Sequence, residues 1–157
     1  MLGFVDASAD DLMTENLLSL IMTLEYYHPV LADSASGLIA EHLSGQERIS
    51  SEMEFLTAVG RDHGADIILA GYLYRFKDRI GSDYAVEAPA SVAFSLVLID
   101  VNTKHLLWAR HFNKTQKALS ENLFELSDFI KRKGRWVTAR QMALAGLEEM
   151  VLALPGP

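Results

Sequence analysis

The run Ile67-Ile68-Leu69-Ala70-Gly71-Tyr72-Leu73-Tyr74 is apolar on both parities, and few folds accept such a segment. Successive residues of a strand point to opposite sides of its sheet, so a half-exposed strand alternates apolar with polar side chains. Apolar residues on both parities require cover on both faces, which is the mark of a central strand. Ser91 to Val101 repeats the signal, with Val92, Phe94, Leu96 and Leu98 on one face and Ala93, Val97 and Ile99 on the other. Asp100-Val101-Asn102-Thr103-Lys104 is turn chemistry, and His105 to Phe112 returns as a third strand. The expectation is an α/β (α+β) domain with a single mixed β-sheet. Its centre is an antiparallel three-strand meander over about 66–79, 91–101 and 105–117, packed by helices on its faces.

Helical periodicity fills the remainder. Leu12, Leu17, Leu18, Ile21, Met22 and Leu24 recur at helical spacing behind Asp10-Asp11, whose charge suits a helix N-terminus. Tyr26-Tyr27-His28-Pro29 stops that helix, because the residue before proline is pushed out of the α region. Pro29 to Asp33 reads as a short strand and Ala35 to Leu43 as a short helix. Ser51-x-x-Glu54 has the form of a capping box, which predicts a helix over 51–63 with Gly64 at its C-terminal cap. Gly81 to Ala90 reads as a polar loop. Ser120 caps a further helix through Ile130, and a last helix runs from Trp136 or Thr138 to Pro155. No repeat, linker or low-complexity tract divides the 157 residues, so one domain is expected, with 113–157 as a helical C-terminal extension.

Composition then excludes whole classes of function. With no cysteine, disulfides, thiol nucleophiles and cysteine-ligated metals are absent. The net charge of −7 argues against wrapping nucleic acid. That figure conceals a split: residues 1–103 hold 16 acids and 5 Lys/Arg, whereas 104–157 hold 5 acids and 9 Lys/Arg. No apolar run reaches the roughly 20 residues of a membrane-spanning helix, and no signal-peptide pattern opens the chain.

Chemistry-bearing patterns are sparse. His28, His42, His63, His105 and His111 include no pair spaced to share a metal on one helix turn, so no metal site is expected. His63 is more simply a partner for a helix C-terminus. Asp33-Ser34-Ala35-Ser36-Gly37 comes nearest to a nucleophile elbow but lacks its first glycine. Gly60 to Asp66 holds two glycines yet leaves a helix rather than opening one, so it does not cradle a phosphate. No cofactor is expected. Three polar clusters remain as candidate partner contacts. They are Arg75, Lys77 and Arg79 at a strand end; Gln116 and Asn122 in a polar connection; and Lys131, Arg132, Lys133 and Arg135 beside Trp136.

Three segments carry a resemblance. Leu2-Gly3-Phe4-Val5-Asp6-Ala7-Ser8 resembles the first strand of bacterial envelope proteins related to the TolB amino-terminal domain, a group that includes CsgG and LpoB. Gly60-Arg61-Asp62-His63-Gly64-Ala65-Asp66-Ile67-Ile68-Leu69-Ala70-Gly71-Tyr72-Leu73 is similar to their helix-to-strand passage. Leu98 to Trp108 is similar to their hairpin, with Lys104 where they carry glycine and Gly3 where the first strand carries proline. The resemblance covers about residues 1–112 and implies a fold and a compartment rather than a catalytic apparatus. It implies a periplasmic or outer-membrane-anchored lipoprotein, its leader and acylated cysteine preceding Met1, with an envelope protein or a peptidoglycan-associated component as partner. The expected function is that of a non-catalytic envelope accessory domain. Two alternatives stand beside it: a subunit of an oligomeric outer-membrane secretion assembly, and a hydrolase using Ser34, Ser36 or His63.

Overall fold

The structure, a computed structural model, describes residues 7–31, 47–81, 86–116 and 136–156. In chain order these form α1 (Ala7–Ile21), α2 (Glu47–Asp62), β1 (Ile67–Lys77), β2 (Ile80–Gly81), β3 (Val86–Ala88), β4 (Ser91–Asp100), β5 (Leu106–Thr115) and α3 (Ala139–Leu152). The meander is present. β1, β4 and β5 pair antiparallel in that order, with Gly71 opposite Leu96 and Phe94 opposite Phe112. This is an α+β fold with helices packed on a three-stranded sheet.

One face of the sheet carries the main core. Val92, Phe94 and Leu96 of β4 are fully buried there, flanked by Leu69, Leu73 and Phe76 of β1 and by Trp108 and Phe112 of β5. Met13 of α1 and Met142, Ala143, Leu147 and Met150 of α3 close over them. The i, i+4, i+8 spacing of Met142, Gly146 and Met150 keeps one stripe of α3 against the sheet. Gly146 is a close-approach residue: a Cβ there would lie 2.8 Å from the Phe112 ring. The last helix is thus built into the core of the sheet.

The start of α3 is fixed by its own cap and by side chains just past the ends of β1 and β5. Thr138 and Gln141 form a reciprocal capping box. The backbone N–H of Ala139 donates to Asp78 Oδ1 at 3.0 Å, and that of Val137 donates to Gln116 Oε1 at 3.0 Å. At the other end, Tyr27 donates its hydroxyl to the Pro155 carbonyl at 2.7 Å, while Ile21, Val151 and Leu154 form a second cluster.

The opposite face is covered unevenly. α2 packs over Ile68 and Val101 at one end, where a Cβ on Gly60 would come within 2.6 Å of Val101 Cγ2. Gly64 ends α2 at φ +65°, and the Ala65 N–H bonds back to the Gly60 carbonyl at 2.8 Å. This agrees with its expected capping role.

Several expectations are corrected. Among the described residues β1 is an outer strand, half-buried along its length, and β4 is the central one. Its double apolar parity reflects the core on one side and partial cover by α2 and its own tyrosines on the other. α2 begins at Glu47, so Ser51 lies inside the helix, not at its cap. One cap contributes only about 1 kcal/mol, which the backbone hydrogen bonds of a further helical turn can outweigh. Residues 28–31 form no strand. The expected loop after β1 contains the short β2–β3 ladder, with Ile80 opposite Ala88. The first strand, the 35–43 helix and the 120–130 helix fall wholly or mostly outside the described residues.

Candidate functional site

The uneven cover leaves an open groove of about 670 Å³ across the second face. It is lined by Glu52 of α2, Tyr72 and Tyr74 of β1, Ser95 and Val97 of β4, and Ala109, Arg110 and His111 of β5. Strand pairing assembles it, since Tyr72 stands opposite Ser95 and Ser95 opposite His111. A bulge in β1 between Leu73 and Arg75 takes Tyr74 out of the regular register. The Tyr74 ring, 48 % exposed, lies 5.9 Å from the imidazole of His111.

Two hydrogen bonds order the groove. Tyr72 donates its hydroxyl to Glu52 Oε1 at 2.6 Å, tying α2 to the sheet. Burial, then the bond to the Glu52 carboxylate and its charge, push the Tyr72 phenol well above its ordinary value, so it remains a donor. Ser95 Oγ and His111 Nδ1 are hydrogen-bonded at 2.8 Å.

Beyond the groove lies a polar bridge. Arg75 crosses β4 over buried Ala93, donating from Nε to Ser91 Oγ at 2.6 Å and from Nη2 to Asn113 Oδ1. Ser91 and Thr115 join hydroxyls at 2.6 Å. One guanidinium therefore links all three strands, using the fixed fork of donors that distinguishes Arg from Lys.

The expected contact residues separate on this frame. Arg75 is half-buried in the bridge, Lys77 is exposed, and Arg79 is partly buried beside Asp78. Gln116 is 6 % exposed and serves internally, holding Val137 and donating its own N–H to the Ala90 carbonyl. Trp136 is partly buried. Asn122, Lys131, Arg132, Lys133 and Arg135 lie outside the described residues, as do Ser34 and Ser36. His63 donates from Nδ1 to the Val59 carbonyl at 2.9 Å, the helix-end role expected of it.

The groove residues were not foreseen as a group. Their signal was Ser95, the polar interruption in Val92-Ala93-Phe94-Ser95-Leu96-Val97-Leu98-Ile99. A polar side chain inside a covered strand demands a partner, and His111 supplies it. Among the described residues no cluster of His, Asp and Glu has the form of a metal site, and no helix is long and apolar enough to cross a membrane.

No protein-family description matches the chain, and no curated protein matches it by sequence. Solved structures resemble it in fold. The PelC dodecamer from Paraburkholderia phytofirmans shares 14% identity at a TM-score of 0.50, covering 92% of this chain and 71% of that one. Lipoprotein GNA1162 from Neisseria meningitidis shares 12% identity at a TM-score of 0.47, over 81% of this chain and 88% of that one. The hypothetical protein CT253 from Chlamydia trachomatis shares 10% identity at a TM-score of 0.46, over 96% of this chain and 87% of that one. These likenesses are of bacterial proteins and extend over most of the chain.

Proposed function

We propose that this chain is a non-catalytic accessory domain of a bacterial cell envelope that works by binding a protein or cell-wall partner. The observation that carries the reading is the Gly60–Gly71 passage. Gly60 abuts Val101, where a Cβ would come within 2.6 Å, and Gly64 takes a positive φ of +65°. Two of the glycines that make the passage similar to that of the TolB-related envelope group thus have a structural use. Lys104, standing where that group carries glycine, adopts φ +58°. By analogy with that group, the reading takes an envelope compartment and a binding mode of action. The periplasmic or outer-membrane address, a lipid anchor preceding Met1 and the peptidoglycan-associated class of partner belong to this proposal.

Fractionation of native cells tests it. The protein is expected in the envelope fraction, with a specific protein or peptidoglycan fragment recovered by crosslinking. Recovery from the soluble cytoplasm alone would overturn the reading.

A second reading, as a subunit of an oligomeric secretion assembly, draws on one observation: PelC, the fold relative at a TM-score of 0.50, is a dodecamer. Light scattering separates the two. A high-order oligomeric mass favours the assembly, and a monomeric mass in both buffer and detergent removes it.

A further inference from the structure

We propose that the outer edge of β5 is a docking strand for an extended acidic segment of a partner protein. The inference rests on the partner-binding reading and names the surface and the chemistry it would use. β5 is ten residues long, and eight of them are exposed. Among the described residues β5 pairs only with β4, so its outer row of N–H and C=O groups meets no other strand. Such an edge is a template for strand addition, with backbone bonds giving affinity and alternate side chains giving selectivity.

Charge selects the occupant. The β5 sequence Leu106-Leu107-Trp108-Ala109-Arg110-His111-Phe112-Asn113-Lys114-Thr115 contains two full cations and no carboxylate. The other outer strand, β1, also contains two cations, Arg75 and Lys77, and no carboxylate. A second copy offering either outer strand would therefore bring cations towards cations, which is unfavourable across a strand pair. The charges that keep copies apart attract an acidic strand. Arg110 and Lys114 share one face of β5, four residues or about 13 Å apart. The matching partner carries carboxylates at positions i and i+4. Apolar contact is available at Leu106 and Leu107, which are 56% and 48% exposed. On the second face the groove reaches β5 at Ala109 and His111 and would receive side chains of the added strand.

The probe is a labelled peptide, Val-Glu-Val-Thr-Val-Glu-Val, titrated against the intact chain by fluorescence anisotropy with amide NMR. The acidic peptide should bind, with shifts centred on residues 106–115. Its lysine counterpart should not. Two cross-strand charge pairs amount to roughly a tenfold change, so an Arg110→Glu/Lys114→Glu variant should lose about that much for the acidic peptide and gain for the lysine one. A peptide N-methylated at alternate positions should not bind. Four results overturn the proposal: no binding; equal binding of the N-methylated peptide, which means charge attraction alone; outward-facing β5 amides, those not bonded to β4, already protected in the monomer, which means the chain's own segment covers the edge; or those outward amides protected only on dimerisation, which means a second copy does. If the peptides fail while crosslinking still recovers an envelope partner, only this surface is wrong. If no partner is recovered, the function reading fails as well.

Discussion

At the scale of single residues, three glycines and a lysine do different things. Gly60 and Gly146 are required by space, because a Cβ would press on Val101 or on the Phe112 ring. Gly60→Ala and Gly146→Ala should each destabilise by about 1–3 kcal/mol, the usual cost of overpacking, read as a lowered denaturant midpoint at unchanged slope. Gly64 is required by conformation: it sits at φ +65° with nothing within 4 Å of a Cβ. Gly64→Ala should cost about 1 kcal/mol, and Gly64→Asn less, because asparagine tolerates the left-handed region. Lys104 is the reverse case, a side chain at φ +58° in the turn between β4 and β5. Lys104→Gly relieves that strain against a smaller loss of chain entropy and should stabilise the fold by roughly 0.5–1 kcal/mol. A lowered melting temperature for Lys104→Gly would contradict this account of the turn.

At the scale of elements, the hairpin between β4 and β5 is organised by Asp100. Its Oδ1 accepts the N–H groups of Asn102 and Thr103 at 2.9 and 2.7 Å. The bonds from Thr103, the largest cause, outweigh an opposing effect of desolvation and, with lesser help from the Asn102 N–H and the charge of His105, hold the Asp100 carboxyl below its ordinary value. A carboxyl lowered on folding stabilises the fold above its unfolded value, and that contribution is lost as pH falls through the folded value. The melting temperature of the native chain should exceed that of Asp100→Ala near neutrality, with the gap closing below about pH 4. Tyr27, whose hydroxyl joins the end of α1 to Pro155, is raised by burial and then by Tyr26. Its contribution should be intact below about pH 10 and fall away above it, and Tyr27→Phe should remove that alkaline sensitivity. Elements of this kind were largely legible in the sequence. The strands over 67–77, 91–100 and 106–115, the Gly64 cap and the Asp100 turn follow from parity and local turn chemistry. The start of α2 and, among the described residues, the outer position of β1 were not legible. Ser51 carries a local cap signal that a longer helix overrides, and apolar parity does not distinguish a neighbouring strand from a covering helix.

At the scale of the whole molecule, the sheet has two unlike sides. One is closed by α1 and α3; the other carries a groove and a polar bridge and ends at an exposed cationic strand. The groove escaped a linear reading because Glu52, Tyr74, Ser95 and His111 come from four elements that only tertiary pairing brings together. Ser95 hinted at it, but its partner lies sixteen residues away. Arg75 read as one of three cations at a strand end, yet its fork spans the strands to Asn113. The central claim is that this scaffold works by holding an envelope partner. Site-specific photo-crosslinking in native cells tests it most directly, with the probe at Ala109 on β5 or, as control, at Glu148 on the exposed side of α3. The account predicts a discrete envelope-fraction adduct from position 109 and none from position 148. Adducts absent from both positions, together with no envelope partner recovered by general crosslinking, would contradict it.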